Sequence, residues 1–147
     1  MKNDAFFFTK AISPKRVLAK QPFTTQKEVL QQLSLLLAKQ GQKEANIINS
    51  ALVDRERLGS TAFPCGIAIP HASLESVYEP SIAFISLESG IHFSHTKNES
   101  TDLFCALILP NFNKLIVGSL YTEYTKDRHP ISTMIRAGMF VDNPNLR

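Results

Sequence analysis

Two short apolar runs, Ile82-Ala83-Phe84-Ile85-Ser86-Leu87 and Leu103-Phe104-Cys105-Ala106-Leu107-Ile108-Leu109, constrain this chain more than any other feature. Neither alternates polar with apolar positions, so a strand built from either has no face to give to water. Both are bounded by turn residues, and neither approaches the roughly 20 apolar residues that span a bilayer. A central sheet covered on both sides buries such strands, and helical patterns lie before and after them, which makes the fold class α/β.

The pattern before the strands is helical. Thr25 and Glu28 stand in capping-box spacing, and Val29, Leu30, Leu33, Leu36 and Leu37 recur on one face, with Gly41 as the stop. A second helix is predicted from about Glu44 to Arg57, with Ile47, Ile48, Ala51 and Leu52 on its apolar side and Arg55 following that face toward the helix end. Gly59 breaks it, Ser60-Thr61 forms a polar turn before Pro64, and a strand runs from Gly66 to about Ile69. Ile91-His92-Phe93 reads as a short edge strand and His95 to Ser100 as an exposed loop. Helical periodicity returns over Lys114 to Tyr124 and again from Pro130 to Ala137, while the tail from Gly138 is weakly patterned. With no repeat and no linker, residues 1–147 are read as one domain.

Composition narrows the function classes. At 147 residues and 44% hydrophobic content the chain can build a core without disulfide staples. Two cysteines, Cys65 and Cys105, cannot form a disulfide framework, and with the histidines they lack close metal-ligand spacing, so no metal site is expected. Sixteen basic residues against 13 acidic ones give a net charge of +3 without a dense basic run, which argues against a nucleic-acid partner. Phe6-Phe7-Phe8 is too short for a signal segment, no stretch is expected to insert in a membrane, and the location is read as cytoplasmic. The six glycines form no nucleotide-binding motif, and no cofactor is expected.

The stretch that carries chemistry runs from Arg55 to His71. It sets an arginine at a helix end, the turn Gly59-Ser60-Thr61, a strand Gly66-Ile67-Ala68-Ile69, and Pro70-His71 where that strand is predicted to stop. A histidine at a strand exit lies where open α/β folds place ligands, and Pro70 limits the backbone beside it. The same residues also fit a partly exposed loop histidine.

Asp54-Arg55-Glu56-Arg57-Leu58-Gly59-Ser60-Thr61 followed by Gly66-Ile67-Ala68-Ile69-Pro70-His71 resembles the signature of the enzyme IIA domain of the bacterial phosphoenolpyruvate-dependent sugar phosphotransferase system. The resemblance is to the fructose and mannitol type, which includes the nitrogen-regulatory IIA proteins, and it extends loosely from about Ile12 to Ala137. It implies a mixed sheet with helices on both faces and a cytoplasmic phosphocarrier. His71 takes the position of the histidine that accepts a phosphoryl group from the small carrier HPr or its nitrogen-branch relative. Such proteins pass the group to a IIB domain or hold it as a signal to regulatory target proteins.

Phosphoryl transfer asks the protein for alignment and positive charge around a neutral imidazole whose second nitrogen has a partner. Arg55 matches the family arginine that faces the active histidine, with pairing to Asp54 or Glu56 as the alternative. Ser60 and Thr61 either donate hydrogen bonds to the phosphoryl group or cap the turn. The departure from the family comes after Pro110, where Pro110-Asn111-Phe112-Asn113-Lys114-Leu115 puts Lys114 at or next to the position of a second histidine. An ammonium attracts phosphate but cannot accept a ring N–H, so the substitution bears on onward delivery more than on acceptance. From about residue 111 the chain is atypical, and it ends early for the family pattern. His92 and His95 read as surface residues, and His129 as a loop residue before a proline. The leading expectation is a free-standing regulatory phosphocarrier, because no transporter or IIB segment is joined to the signature. The alternatives are a fructose or mannitol IIA working with a IIB partner, and a protein-binding regulator that keeps the fold without taking phosphate.

Overall fold

The computed structural model describes residues 13–75, 77, 79–94 and 100–109. The expectations for residues 1–12, 95–99 and 110–147, among them Lys114, His95, His129 and the two helical stretches after Pro110, lie outside the described residues.

Among the described residues a six-stranded mixed sheet carries two α-helices. In chain order the elements are β1 (Val17–Gln21), α1 (Gln26–Leu37), α2 (Gln42–Leu58), β2 (Ala62–Phe63), β3 (Ile67–Ala68), β4 (His71–Ser73), β5 (Ser81–Ile91) and β6 (Thr101–Leu109). The strand order is β1-β5-β6-β3-β2, and β4 also pairs with β6. β5 and β6 are antiparallel at the centre, β1 runs parallel to β5, β3 and β4 run parallel to β6, and β2 is antiparallel to β3.

Over Ile82 to Leu87 and Leu103 to Leu109 the two central strands are buried on both faces, as the apolar runs require, while Glu88, Ser89 and Gly90 of β5 are exposed. Ala83, Ile85 and Leu87 of β5 and Phe104, Ala106 and Ile108 of β6 join Val29, Leu30, Leu33 and Leu37 of α1 and Ile48 and Leu52 of α2 in one core. Ile82, Phe84, Leu103, Cys105, Leu107 and Leu109, which alternate with them, are at most 1% exposed. Phe93 and Phe104 close one end of the core, with ring centroids 5.1 Å apart in a tilted pair.

The helix boundaries follow local chemistry. The Thr25 hydroxyl accepts from the Glu28 N–H at 3.1 Å, while the Glu28 carboxylate accepts from the Thr24 N–H at 3.3 Å, so the capping box forms with its return bond one residue outside the cap. α1 stops at Leu37 rather than at Gly41. Gly41 instead takes a positive φ of 94° and opens α2, where the Glu44 carboxylate reaches back to the Gln40 N–H at 2.8 Å. The segment read as an edge strand at Ile91-His92-Phe93 is corrected as well: Ile91 is the last residue of β5, a central strand.

Three short strands, β1, β2 and β4, escape the sequence pattern. β1 is short and only partly buried, and a register shift between Leu18 and Gln21 interrupts its pairing with β5. At that bulge Lys20 takes φ 52°, and its N–H donates to the buried Ser86 hydroxyl at 2.8 Å. A period-2 search has too few residues there to register.

Removing the ring at the sheet centre tests this packing. Phe104→Ala should cost about 3 to 5 kcal/mol, because Phe104 is fully buried in the core that both helices share and packs against Phe93. Urea unfolding monitored by circular dichroism reads the loss; a midpoint within error of the parent would contradict this packing.

Candidate functional site

The site forms where the last turn of α2 meets the interrupted strand β3–β4. Ile67 pairs with Leu103 and Ala68 with Phe104, and the pairing resumes with His71 opposite Leu107, Ala72 opposite Ile108 and Ser73 opposite Leu109. The offset is the same on both sides of Ile69-Pro70, so β3 and β4 are one line of pairing along β6. The break comes from Pro70, which has no N–H to give, although its carbonyl still accepts from the Leu107 N–H at 2.9 Å. His71 therefore does not sit at a strand exit, as the sequence suggested. It is the first residue of the resumed strand, and it is only 4% exposed, which excludes the loop-histidine reading.

Both ring nitrogens of His71 are engaged. Nδ1 lies 2.8 Å from the carbonyl oxygen of Ile69, and since that oxygen can only accept, Nδ1 carries the proton. Nε2 is then the lone-pair nitrogen, and it accepts from the Arg55 Nε–H at 3.2 Å. A backbone carbonyl two residues upstream thus fixes the tautomer. Sequence reasoning looked for that partner in a second side chain and missed the carbonyl, because a backbone acceptor leaves no residue type to recognise.

Arg55 is held at two points. Its Nη1 donates to the Gly59 carbonyl at 3.0 Å, closing the end of α2, while Nε reaches His71. The acidic neighbours go elsewhere: Asp54 forms an exposed pair with Arg57 at 3.5 Å, and Glu56 accepts from Thr61. The alternative that Arg55 merely pairs with Asp54 or Glu56 is therefore set aside.

Ser60 and Thr61 take the turn-building option. The Ser60 hydroxyl accepts from the Ala62 N–H at 3.0 Å, and the Thr61 hydroxyl donates to the Glu56 carboxylate, which also accepts from the Thr61 N–H at 3.0 Å. Glu56 was not singled out from sequence, since a carboxylate at an exposed-looking helix end carries no pattern of its own.

The electrostatics favour a neutral ring. Burial holds the His71 pKa below its ordinary value of 6.5; the hydrogen bond that the ring donates to the Ile69 carbonyl opposes this, and the Arg55 charge adds to the lowering. A neutral imidazole with its proton on Nδ1, a lone pair on Nε2 and a guanidinium at that nitrogen is a nucleophile placed beside an anion-binding group. Among the described residues no cluster of three or more His, Cys, Asp or Glu side chains could hold a metal, and no helix is long and apolar enough to cross a membrane.

The site is thus an arginine-faced, tautomer-fixed histidine on a mixed α/β sheet. Residues 10–121 match the family described as phosphoenolpyruvate-dependent sugar phosphotransferase system, EIIA 2, and the chain belongs to that family. It is 36% identical over 100 residues to the nitrogen regulatory protein of Pseudomonas aeruginosa, a match covering 67% of this chain and 65% of that one. It is 37% identical over 87 residues to the nitrogen regulatory protein of Escherichia coli K12, covering 58% and 53%. The chain thus spans between about half and two thirds of the length of these relatives. Its fold is also that of the nitrogen regulatory protein IIA-Ntr of Neisseria meningitidis, with TM-score 0.75 at 20% identity over 86% of this chain and 88% of that one. The E. coli mannitol IIA protein gives TM-score 0.69 at 19% identity over 92% and 94%.

The depressed His71 pKa sets a pH dependence. Between the folded-state value and about 6.5, the unfolded chain binds the proton that the folded ring refuses. The stability from this ring is full above about pH 6.5 and declines as pH falls from there toward the folded-state value. Histidine titration by NMR should give His71 a midpoint below 6.5, and Arg55→Ala should move it upward by removing a charge that lowers it. A midpoint at or above 6.5 in the parent protein would contradict the buried, arginine-faced ring.

Proposed function

We propose that this protein is a phosphocarrier of the phosphotransferase system that accepts a phosphoryl group on Nε2 of His71 and acts in the cytoplasm as a regulator through its phosphorylation state. The observation that carries this reading is the pair of bonds on one ring, Nδ1–H to Ile69 and Arg55 to Nε2. The donor is HPr or a nitrogen-branch HPr carrying its own phosphohistidine.

Nε2 attacks the phosphorus with its lone pair while the P–N bond to the donor imidazole breaks and the electron pair leaves with that ring. The Nδ1 proton stays where Ile69 holds it, so no general base is needed. The Arg55 Nε–H turns from the lone pair to a phosphoryl oxygen, and the guanidinium balances charge that spreads over the transferring oxygens. Because Nη1 is held by Gly59, the arginine moves little to do so. Ser60 and Thr61 contribute by shaping the turn beneath the phosphoryl group, and Lys114 adds an attracting charge that tunes delivery to a IIB domain or a regulatory target.

The regulatory reading rests on the nitrogen regulatory proteins among the relatives. A second reading, transport phosphate delivery to a IIB domain, draws on two other likenesses. One is a fructose-specific EIIA component of Haloferax volcanii, 33% identical over 60 residues, covering 41% of this chain and 39% of that one. The other is the fold shared with E. coli mannitol IIA solved in complex with phosphorylated IIB, at TM-score 0.71 and 19% identity. In either case the donor is a protein, and Leu58, 86% exposed and adjacent to the Gly59 that anchors Arg55, offers it an apolar contact at the site's rim.

Incubation with phosphoenolpyruvate, enzyme I and HPr, or with their nitrogen-branch counterparts, should add one acid-labile phosphoryl group by intact mass. His71→Ala should abolish it, and Arg55→Ala should slow acceptance by about a hundredfold. A phosphoryl group retained by His71→Ala at the parent rate would refute the assignment, as would the parent protein's failure to take phosphate from either donor.

The rim contact has its own readout. Leu58→Asp should raise the KM for the phosphorylated donor about tenfold, or ~1.4 kcal/mol, with kcat little changed. Steady-state transfer at varied donor concentration measures both, and an unchanged KM would remove Leu58 from the docking surface.

A further inference from the structure

Two adjacent residues of α2 address the two nitrogens of one imidazole by different routes. Arg55 touches Nε2 directly. Glu56 reaches Nδ1 through the backbone. Its carboxylate accepts from both the N–H and the hydroxyl of Thr61, the carbonyl of Thr61 accepts from the Ile69 N–H at 2.9 Å, and the carbonyl of Ile69 accepts from Nδ1–H at 2.8 Å. Thr61 is 2% exposed and Ile69 fully buried, so this path runs through dry protein where hydrogen bonds are strong and a lost one is costly.

From this geometry we infer that Glu56 is a positioning residue, clasping Thr61 so that the Ile69 carbonyl is held at the distance and direction that keep the proton on Nδ1 and the lone pair on Nε2. The inference rests on the reading of His71 as phosphoryl acceptor for its consequence, but not for its geometry. The Ile69 carbonyl belongs to a two-residue break between β3 and β4, where the ladder along β6 lacks the bond that Pro70 cannot give. What steadies Ile69 on the side away from β6 is its N–H bond to Thr61, and what steadies Thr61 is the two-pronged grip of Glu56. Without that grip the Ile69 carbonyl drifts, its bond to Nδ1–H weakens, and the tautomer with the proton on Nε2 gains population. That tautomer has no lone pair on the nitrogen that faces Arg55.

The arrangement gives α2 a double function at its C-terminal turn. A shift of the helix end moves Arg55 and the Thr61 clasp together, so the guanidinium and the nucleophilic lone pair stay in register. A glutamine at this position keeps one acceptor for the Thr61 N–H, but it meets the hydroxyl with an amide donor and without charge, which weakens the grip and makes the series Glu, Gln, Ala graded.

The test compares the parent, Glu56→Gln, Glu56→Ala, Thr61→Val and Thr61→Ser. Long-range proton–nitrogen NMR correlations of the unphosphorylated protein above pH 7 read the His71 tautomer. The parent and Thr61→Ser should show one neutral tautomer protonated on Nδ1. Glu56→Ala should show a mixture and take phosphate about tenfold to a hundredfold more slowly, with Glu56→Gln between. A folded Glu56→Ala that keeps the single Nδ1–H tautomer would overturn the inference. If Glu56→Ala does not fold, Thr61→Val decides in its place, because it removes only the hydroxyl prong: a partial mixture supports the clasp, and an unmixed tautomer overturns it. If the parent takes no phosphate from its donor, the phosphocarrier reading fails, while the tautomer series still judges Glu56.

Discussion

The hydrogen bond from Nδ1 of His71 to the carbonyl of Ile69 is the contact on which the site depends. It spans two residues, and it exists because Pro70 interrupts a strand that would otherwise run straight through. The Ile69 carbonyl faces away from β6, and the Thr61 N–H opposite it is taken by Glu56, so the carbonyl is open to the ring. The missing Pro70 N–H costs the sheet one bond to β6, while the Ile69 carbonyl, on the side away from β6, holds the ring. The register is preserved across the break, so the concession is local.

The rest of the fold gives that contact its rigidity. β6 is buried on both faces and pairs with β3 before the break and β4 after it, so the two halves of the interrupted strand cannot move independently. α2 is seated on the same sheet through Ile48 and Leu52, which brings its last turn, with Arg55 and Glu56, against the interruption. Burial then pushes the ring toward its neutral form, and a cation beside it pushes the same way, whereas the Ile69 bond resists. The balance leaves a ring that is uncharged at neutral pH and already oriented, the preorganisation that the proposed transfer step calls for.

Much of this is legible in the sequence, and the illegible parts have a common cause. The two apolar runs gave the central strands because burial on both faces leaves no alternation of polar and apolar residues in them, Ser86 being the single polar position, and Thr25 with Glu28 gave the start of α1 because capping is local chemistry. Gly41 misled because glycine serves equally to end one helix and to open another. The run Ala-Ile-Pro-His pointed to His71, yet its strand-exit reading was wrong, since a proline in a strand pattern looks the same whether the strand ends or resumes. Arg55 was found through its resemblance to a family pattern, whereas Glu56 was not, because its partner is Thr61 and the consequence appears only after two backbone bonds. Partners set by backbone carbonyls, such as that of Ile69, leave no residue type to recognise.

The central claim is that the lone pair of His71 resides on Nε2 because Ile69 holds the proton on Nδ1. The most direct measurement is the location of the P–N bond in the phosphorylated protein, read by phosphorus–nitrogen coupling on protein labelled with nitrogen-15 in histidine. The account requires phosphorus coupled to Nε2 with the proton retained on Nδ1. Phosphorus bonded to Nδ1, or to any residue other than His71, would contradict it.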